Sequence, residues 1–159
     1  MSEKVFKDIK EFLDGKNIEY SFFRHKAVRT SKEAAEVRDM SVEEGMRRGA
    51  KAMVIRSEGE FYQFVLPASK KLDFDSIREV LDSRSVSLAD PEEVEEITDC
   101  KPGAVPPFGN LFGIPVYVDP SLLENEEIDF NAGLRTVSME MKAGGWKEAV
   151  QPQVVEFAR

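Results

Sequence analysis

Val5, Ile9, Phe12 and Leu13 fall at i, i+4, i+7 and i+8, one stripe of a helix, so residues 3–14 are expected to form an amphipathic helix. Gly15 is expected to stop it. Ile18, Tyr20 and Phe22 alternate, which predicts a short strand from Ile18 to Phe23. Thr30 followed by Glu33 has the spacing of a capping box and predicts a helix from Ser31 to Arg38. Ser41 and Glu44 repeat the spacing for a second short helix ending near Gly49. Ala50 to Ser57 and Glu60 to Leu66 are apolar runs joined at Glu58-Gly59, which reads as a hairpin.

Pro67 ends the second of these strands. Asp73 can cap a helix from Phe74 to Asp82. Val86 and Leu88 mark a short strand, and Asp90-Pro91 opens a helix through about Ile97. Ile114 to Val118 reads as a strand, and Asp119-Pro120 begins a turn that can run into one helical turn. Ile128 to Phe130 and Leu134 to Met141 read as strands around Asn131-Ala132-Gly133, then a short helix around Trp146 and a last strand from Val154 to Phe157. Six to eight short strands and four or five helices, with hairpins and no regular βαβ alternation, predict an α+β fold with a mixed, mainly antiparallel sheet.

Composition narrows the function. A chain of 159 residues with 42% hydrophobic content and eleven Phe suits one domain, 1–159, with a real core. No apolar run approaches the ~20 residues of a membrane span, and the charged N-terminus is not signal-like, so a cytoplasmic protein without a membrane partner is expected. One cysteine and one histidine argue against a disulfide framework or a metal centre, and no cofactor is expected. A net charge of −8 argues against broad nucleic-acid binding, DNA included, yet leaves room for a small basic pocket.

The stretch Cys100–Asp119 is the most constrained. In Gly103-Ala104-Val105-Pro106-Pro107-Phe108-Gly109 two prolines fix φ, remove two donors and push Val105 out of the helical region. The loop is rigid, and its backbone N–H groups could be held towards a ligand; the ordinary alternative is a connecting turn. Lys51 shares a strand face with Met53 and Ile55, at the mouth of an apolar side. An ammonium there needs an anion such as a phosphate, unless it snorkels to water. His25 could stack on a base or bond a ribose, though such a histidine is more often packed or exposed. Cys100 reads as structural, and Arg47, Arg48, Lys70, Lys71 and Arg135 as solvated surface charge.

His25…Thr30-Ser31-Lys32-Glu33-Ala34-Ala35, Gly49-Ala50-Lys51-Ala52-Met53-Val54-Ile55, the Gly103–Gly109 loop and Asn131-Ala132-Gly133 stand in one order and spacing. Together they resemble the YbaK-type aminoacyl-tRNA deacylases, a family that includes the editing domain inserted in bacterial prolyl-tRNA synthetases. The resemblance covers nearly the whole chain and implies a strongly curved sheet with flanking helices. Gly103 to Pro107 matches the family's GxxxP loop and Lys51 its essential lysine. Asn131 and Ser138 match pocket positions. Phe23, Ala104, Asn131 and Ser138 carry side chains that differ from those of some members, which bears on the amino acid accepted.

The resemblance implies hydrolysis of the ester joining a mischarged amino acid to the 3′-terminal adenosine of a tRNA, with alanine or cysteine on tRNA(Pro) as the expected substrate. A non-catalytic tRNA- or nucleotide-binding module on the same fold is the alternative. The ester is labile, so positioning and electrostatics can carry the step. Amides near Gly103 and Ala104, in the loop closed by Pro107, would polarise the carbonyl or orient water. Lys51 would hold the terminal phosphate or ribose. Phe23 and His25 would wall the adenosine, with Thr30 and Gly133 beside the substrate, and Asn131 and Ser138 would size the side chain. This sequence shows no anticodon-reading segment, so tRNA choice is expected to rest on the acceptor end or on a partner aminoacyl-tRNA synthetase.

Overall fold

The computed structural model describes residues 3–159. Helix α1 (Glu3–Gly15) buries Val5, Phe6, Ile9 and Leu13. Phe12, expected in that set, is partly buried and meets Phe108 edge-on at 6.2 Å, tying α1 to the proline loop. Asn17, at φ 58°, is the left-handed residue that ends the helix, not Gly15. The amides of Asn17 and Ile18 bond back to Asp14 and Leu13, so Ile18 packs over the helix end instead of starting a strand. Strand β1 is therefore the shorter, exposed Ser21–Arg24.

Two short helices follow, α2 (Ser31–Val37) and α3 (Val42–Arg48), capped as expected by Thr30 and Ser41. Gly45 lets them touch: a Cβ there would lie 2.5 Å from the Ala35 Cβ. Thr30→Ala is expected to lower stability by about 1 kcal/mol, because the Glu33 amide loses its acceptor. A lower urea midpoint at unchanged slope checks it.

Strands β2 (Ala50–Ser57) and β3 (Glu60–Pro67) form the predicted hairpin, with Glu58 and Gly59 both at positive φ as a tight I′ turn requires. The remaining elements are α4 (Phe74–Leu81), β4 (Ser87–Leu88), α5 (Pro91–Thr98), β5 (Val116–Val118), β6 (Glu127–Asn131), β7 (Val137–Lys142), α6 (Ala143–Val150) and β8 (Gln153–Val154). A 3-10 turn, Gly109–Phe112, follows the proline loop and was not foreseen.

The fold is α+β, as expected, but its strands hydrogen-bond as two sheets. One is antiparallel, in the order β1-β7-β6. The other runs β4-β2-β3-β5-β8, antiparallel on one side of β3 and parallel on the other. They meet at the bridge between Gly49 and Asp129. A large core under α1, α6 and both sheets holds Phe6, Phe108, Phe130 and Trp146; a smaller one around Ile55, Phe64 and Phe157 fills the other face of the hairpin.

Three strand boundaries move for local reasons. The carbonyl of Pro115 accepts the Gln63 amide, and the ladder of β5 opens at Val116. Leu134, Arg135 and Thr136 belong to the turn before β7. There the carbonyls of Arg135 and Thr136 accept the amides of Val28 and His25. The last strand stops at Val154, after which the amides of Phe157 and Ala158 both donate to the buried Asp119 carboxylate.

Candidate active site

The proline loop is held by four side chains. Gln63, fully buried on β3, donates to the Pro106 carbonyl at 3.0 Å and accepts the Gly109 amide at 2.9 Å. The Trp146 indole donates to the Pro107 carbonyl at 2.8 Å. From the β6–β7 side, Asn131 donates to the Gly103 carbonyl at 2.8 Å and Arg135 to that of Pro102. Gly103 itself takes φ 89°, which a side chain would strain.

Most of the loop's backbone is thus committed. The Ala104 amide, expected to face the ester, donates to Lys101 O at 2.9 Å, closing a turn, and that expectation is corrected. The amides of Gly103 and Val105 have no acceptor among the described residues, and both residues line the adjoining cleft. Pro107 is buried and does not line the cleft.

That cleft, of about 330 Å³, brings together Lys51, Gly103, Thr30 and Asn131 from four separate segments. Arg29, Arg38 and Arg135 join Lys51 on its walls, and no carboxylate lines it. A chain of net charge −8 therefore holds a cationic pocket, whose field favours an anionic ligand. The Lys51 amine is half-buried and donates to the Lys70 carbonyl at 2.6 Å. Burial, then repulsion from Lys71, holds it below the ordinary lysine range.

Behind the cleft runs a chain of polar contacts. Arg38, at the C-terminal cap of α2, donates through Nε to Ser138 Oγ at 2.9 Å and through Nη2 to Asn131 Oδ1 at 3.2 Å. His25 Nε2 lies 2.7 Å from the same Ser138 Oγ, and its Nδ1 lies 2.7 Å from the Lys26 carbonyl. Facing a carbonyl, Nδ1 must donate; in the neutral ring Nε2 then accepts the Ser138 proton. Both ring nitrogens are engaged, so His25 has none left for a ribose, contrary to expectation. Phe23 packs at 5.3 Å from the His25 ring on the exposed strand β1, and neither lines the cleft. Ser138 is buried one layer back, and Gly133 donates its amide to Ala104 O. These two hold the site's frame rather than its surface.

Arg48 and Arg135 are not the solvated charges expected of them. Arg135 lines the cleft, and Arg48 lies 2.9 Å from both Asp129 and Glu140. Burial pushes the Asp129 carboxyl up, against the bond from Glu140 and the pull of Arg48. Arg38 and Gln63 were missed altogether. Gln63 is a lone polar residue in an apolar strand and Arg38 a basic residue at a helix end, and neither position points by itself to a site. Cys100 is structural as expected, its thiol donating to the Thr98 carbonyl. A larger, shallower groove beside β1 is lined by Asp14, Glu19, Glu127 and Glu140 against Lys142, which disfavours an anionic ligand.

Sequence similarity to known proteins defines the class, an aminoacyl-tRNA editing hydrolase. The family model described as aminoacyl-tRNA editing domain matches residues 25–148, and the chain belongs to this family, the YbaK family. The multifunctional Ser/Thr-tRNA deacylase ProXp-y of Escherichia coli K12 is 30% identical over 152 residues, which are 92% of this chain and 89% of that protein. Two solved structures share the fold. One, a hypothetical protein, superposes with a TM-score of 0.85 at 24% identity, over 95% of this chain and 99% of its own. The other, a candidate trans-editing enzyme for prolyl tRNA synthetase, gives 0.83 at 23% identity, over 98% and 97%. Among the described residues no helix is long and apolar enough to cross a membrane.

Proposed function

We propose that the chain, as one domain, is a cytoplasmic trans-editing deacylase that hydrolyses the ester between a mischarged amino acid and the 3′-terminal adenosine of a tRNA. The cationic cleft in an acidic protein, walled on one side by the proline loop, is the observation that carries this reading. The terminal nucleotide supplies the anion that Lys51 and the arginines lack. Water adds to the ester carbonyl carbon, and charge builds on the carbonyl oxygen. The amides of Gly103 and Val105 and the Lys51 ammonium are the donors available to it. The C–O bond then breaks, and the ribose oxygen leaves with a proton that came from the water. A neighbouring ribose hydroxyl can relay that proton, which fits a site without a Ser–His–Asp set.

The relative's name points to serine and threonine rather than to alanine or cysteine on tRNA(Pro). A panel of Ser-, Thr-, Ala- and Cys-charged tRNAs decides between them. Release of free amino acid above the spontaneous rate supports the reading. Saturable binding with no release from any of them would leave only a binding module. Repeating the panel with a synthetase added tests for that partner.

The lowered Lys51 value gives a pH prediction. The working form is the charged one, so the protein-dependent rate should fall as pH rises through that value, earlier than an exposed lysine would dictate. Lys51→Arg should move the fall to higher pH, read from pH–rate profiles corrected for spontaneous hydrolysis. The stability term has the opposite sign. The unfolded chain holds this proton more tightly, so Lys51 costs stability at neutral pH, and the cost fades as pH rises.

A further inference from the structure

Arg38 is a partly buried cation without a counter-ion. Its neighbours Asp129 and Glu140 are taken by Arg48, each at 2.9 Å, and among the described residues no carboxylate reaches ion-pair distance of Arg38 itself. Its two partners, Ser138 Oγ and Asn131 Oδ1, are neutral. Both are held in turn, Ser138 against His25 and Asn131 against the Gly103 carbonyl, so the guanidinium plane is fixed. A guanidinium has five N–H donors. Two are used here, and the rest have no partner among the described residues although Arg38 lines the cleft. Once a ligand displaces water from the cleft, donors left unpaired are costly, which makes them selective for a ligand able to accept from them.

The substrate's own order says which part meets Arg38. The tRNA body, the terminal phosphate, the ribose, the ester and the amino-acid side chain follow one another along a line. Arg29 is exposed at the mouth, Lys51 is half-buried, and Arg38 is set against the floor residues of β6 and β7. The part of the ligand farthest from the tRNA body reaches the innermost donors.

We propose that Arg38 is the specificity-determining residue of the site, its unused N–H groups donating to the side-chain hydroxyl of a seryl or threonyl ester and discriminating against an alanyl ester that has no acceptor there. This deepens the deacylase reading and rests on it. A pocket that must hydrogen-bond its substrate rejects the analogue lacking the group far better than an apolar pocket rejects a missing methylene.

The test is a kcat/KM panel on Ser-, Thr- and Ala-charged tRNA with the parent, Arg38→Met and Arg38→Lys. The parent should favour Ser and Thr over Ala. Arg38→Met should lower Ser and Thr by about 10–10²-fold, the worth of a hydrogen bond to a charged group, and change Ala by less than about 3-fold. Arg38→Lys keeps the charge but cannot span both anchors, so its Ser/Ala ratio should fall between the two. If Arg38→Met does not fold, the parent and Arg38→Lys ratios decide alone. Equal losses on all three esters, or a parent that hydrolyses Ala as well as Ser, would overturn the role of Arg38 and leave the deacylase reading standing. A parent that hydrolyses none of them would end both.

Discussion

Lys51→Ala is expected to slow deacylation by about 10²–10³-fold, the usual loss when one donor to a developing oxyanion is removed. The amine has three donors and spends one, at 2.6 Å, on the Lys70 carbonyl, which aims the other two. Among the described residues nothing anionic lines its cleft, and the charge that shifts it is Lys71. An ammonium half-buried without an anion is a cost to the fold, so its removal should leave the protein standing. Lys51→Met, which keeps the packing of the stem, should be at least as stable as the parent. Single-turnover release of amino acid from mischarged tRNA, read beside a thermal melt, checks both halves. Parental rates in Lys51→Ala would take Lys51 out of the reaction.

Gln63→Met should give the largest loss of stability, about 1–3 kcal/mol. It strands the Gly109 amide, a buried unsatisfied donor that costs about 1–3 kcal/mol, while the Pro106 carbonyl keeps the Phe108 amide. Both lie in the loop that walls the cleft, so activity should fall together with stability. At about 3 °C per kcal/mol for a chain of this size, the melting temperature should drop by at least about 3 °C. A variant that melts like the parent would mean that Trp146, Asn131, Arg135 and the prolines hold the loop without Gln63.

These two residues mark where the sequence was legible. The elements that announced themselves did so through short-range chemistry. Glu58-Gly59 could only be a tight turn, Thr30 and Ser41 could only start helices, and Pro106-Pro107 could only be a rigid loop. Lys51 was legible because a lysine on an otherwise core-facing strand breaks a pattern. Gln63 breaks one too, on the next strand, but its partners lie 43 and 46 positions away and no local rule points to them. Arg38 closes a helix, where a basic residue is ordinary. Only the packing of β6 and β7 against it turns it into part of a pocket. Ile18 misled for a related reason: its alternation with Tyr20 was real, but Asn17 turned the chain first, and the apolar side chain went to the helix end.

His25 and Ser138 stand 113 positions apart, and Arg38 reaches exactly as deep into the remainder of the chain, 100 positions to the same serine. A protein emerging from a ribosome therefore displays its lysine long before the anchors of its arginine exist. Until β7 has been made, the newborn chain has no assembled pocket in which to hold a substrate.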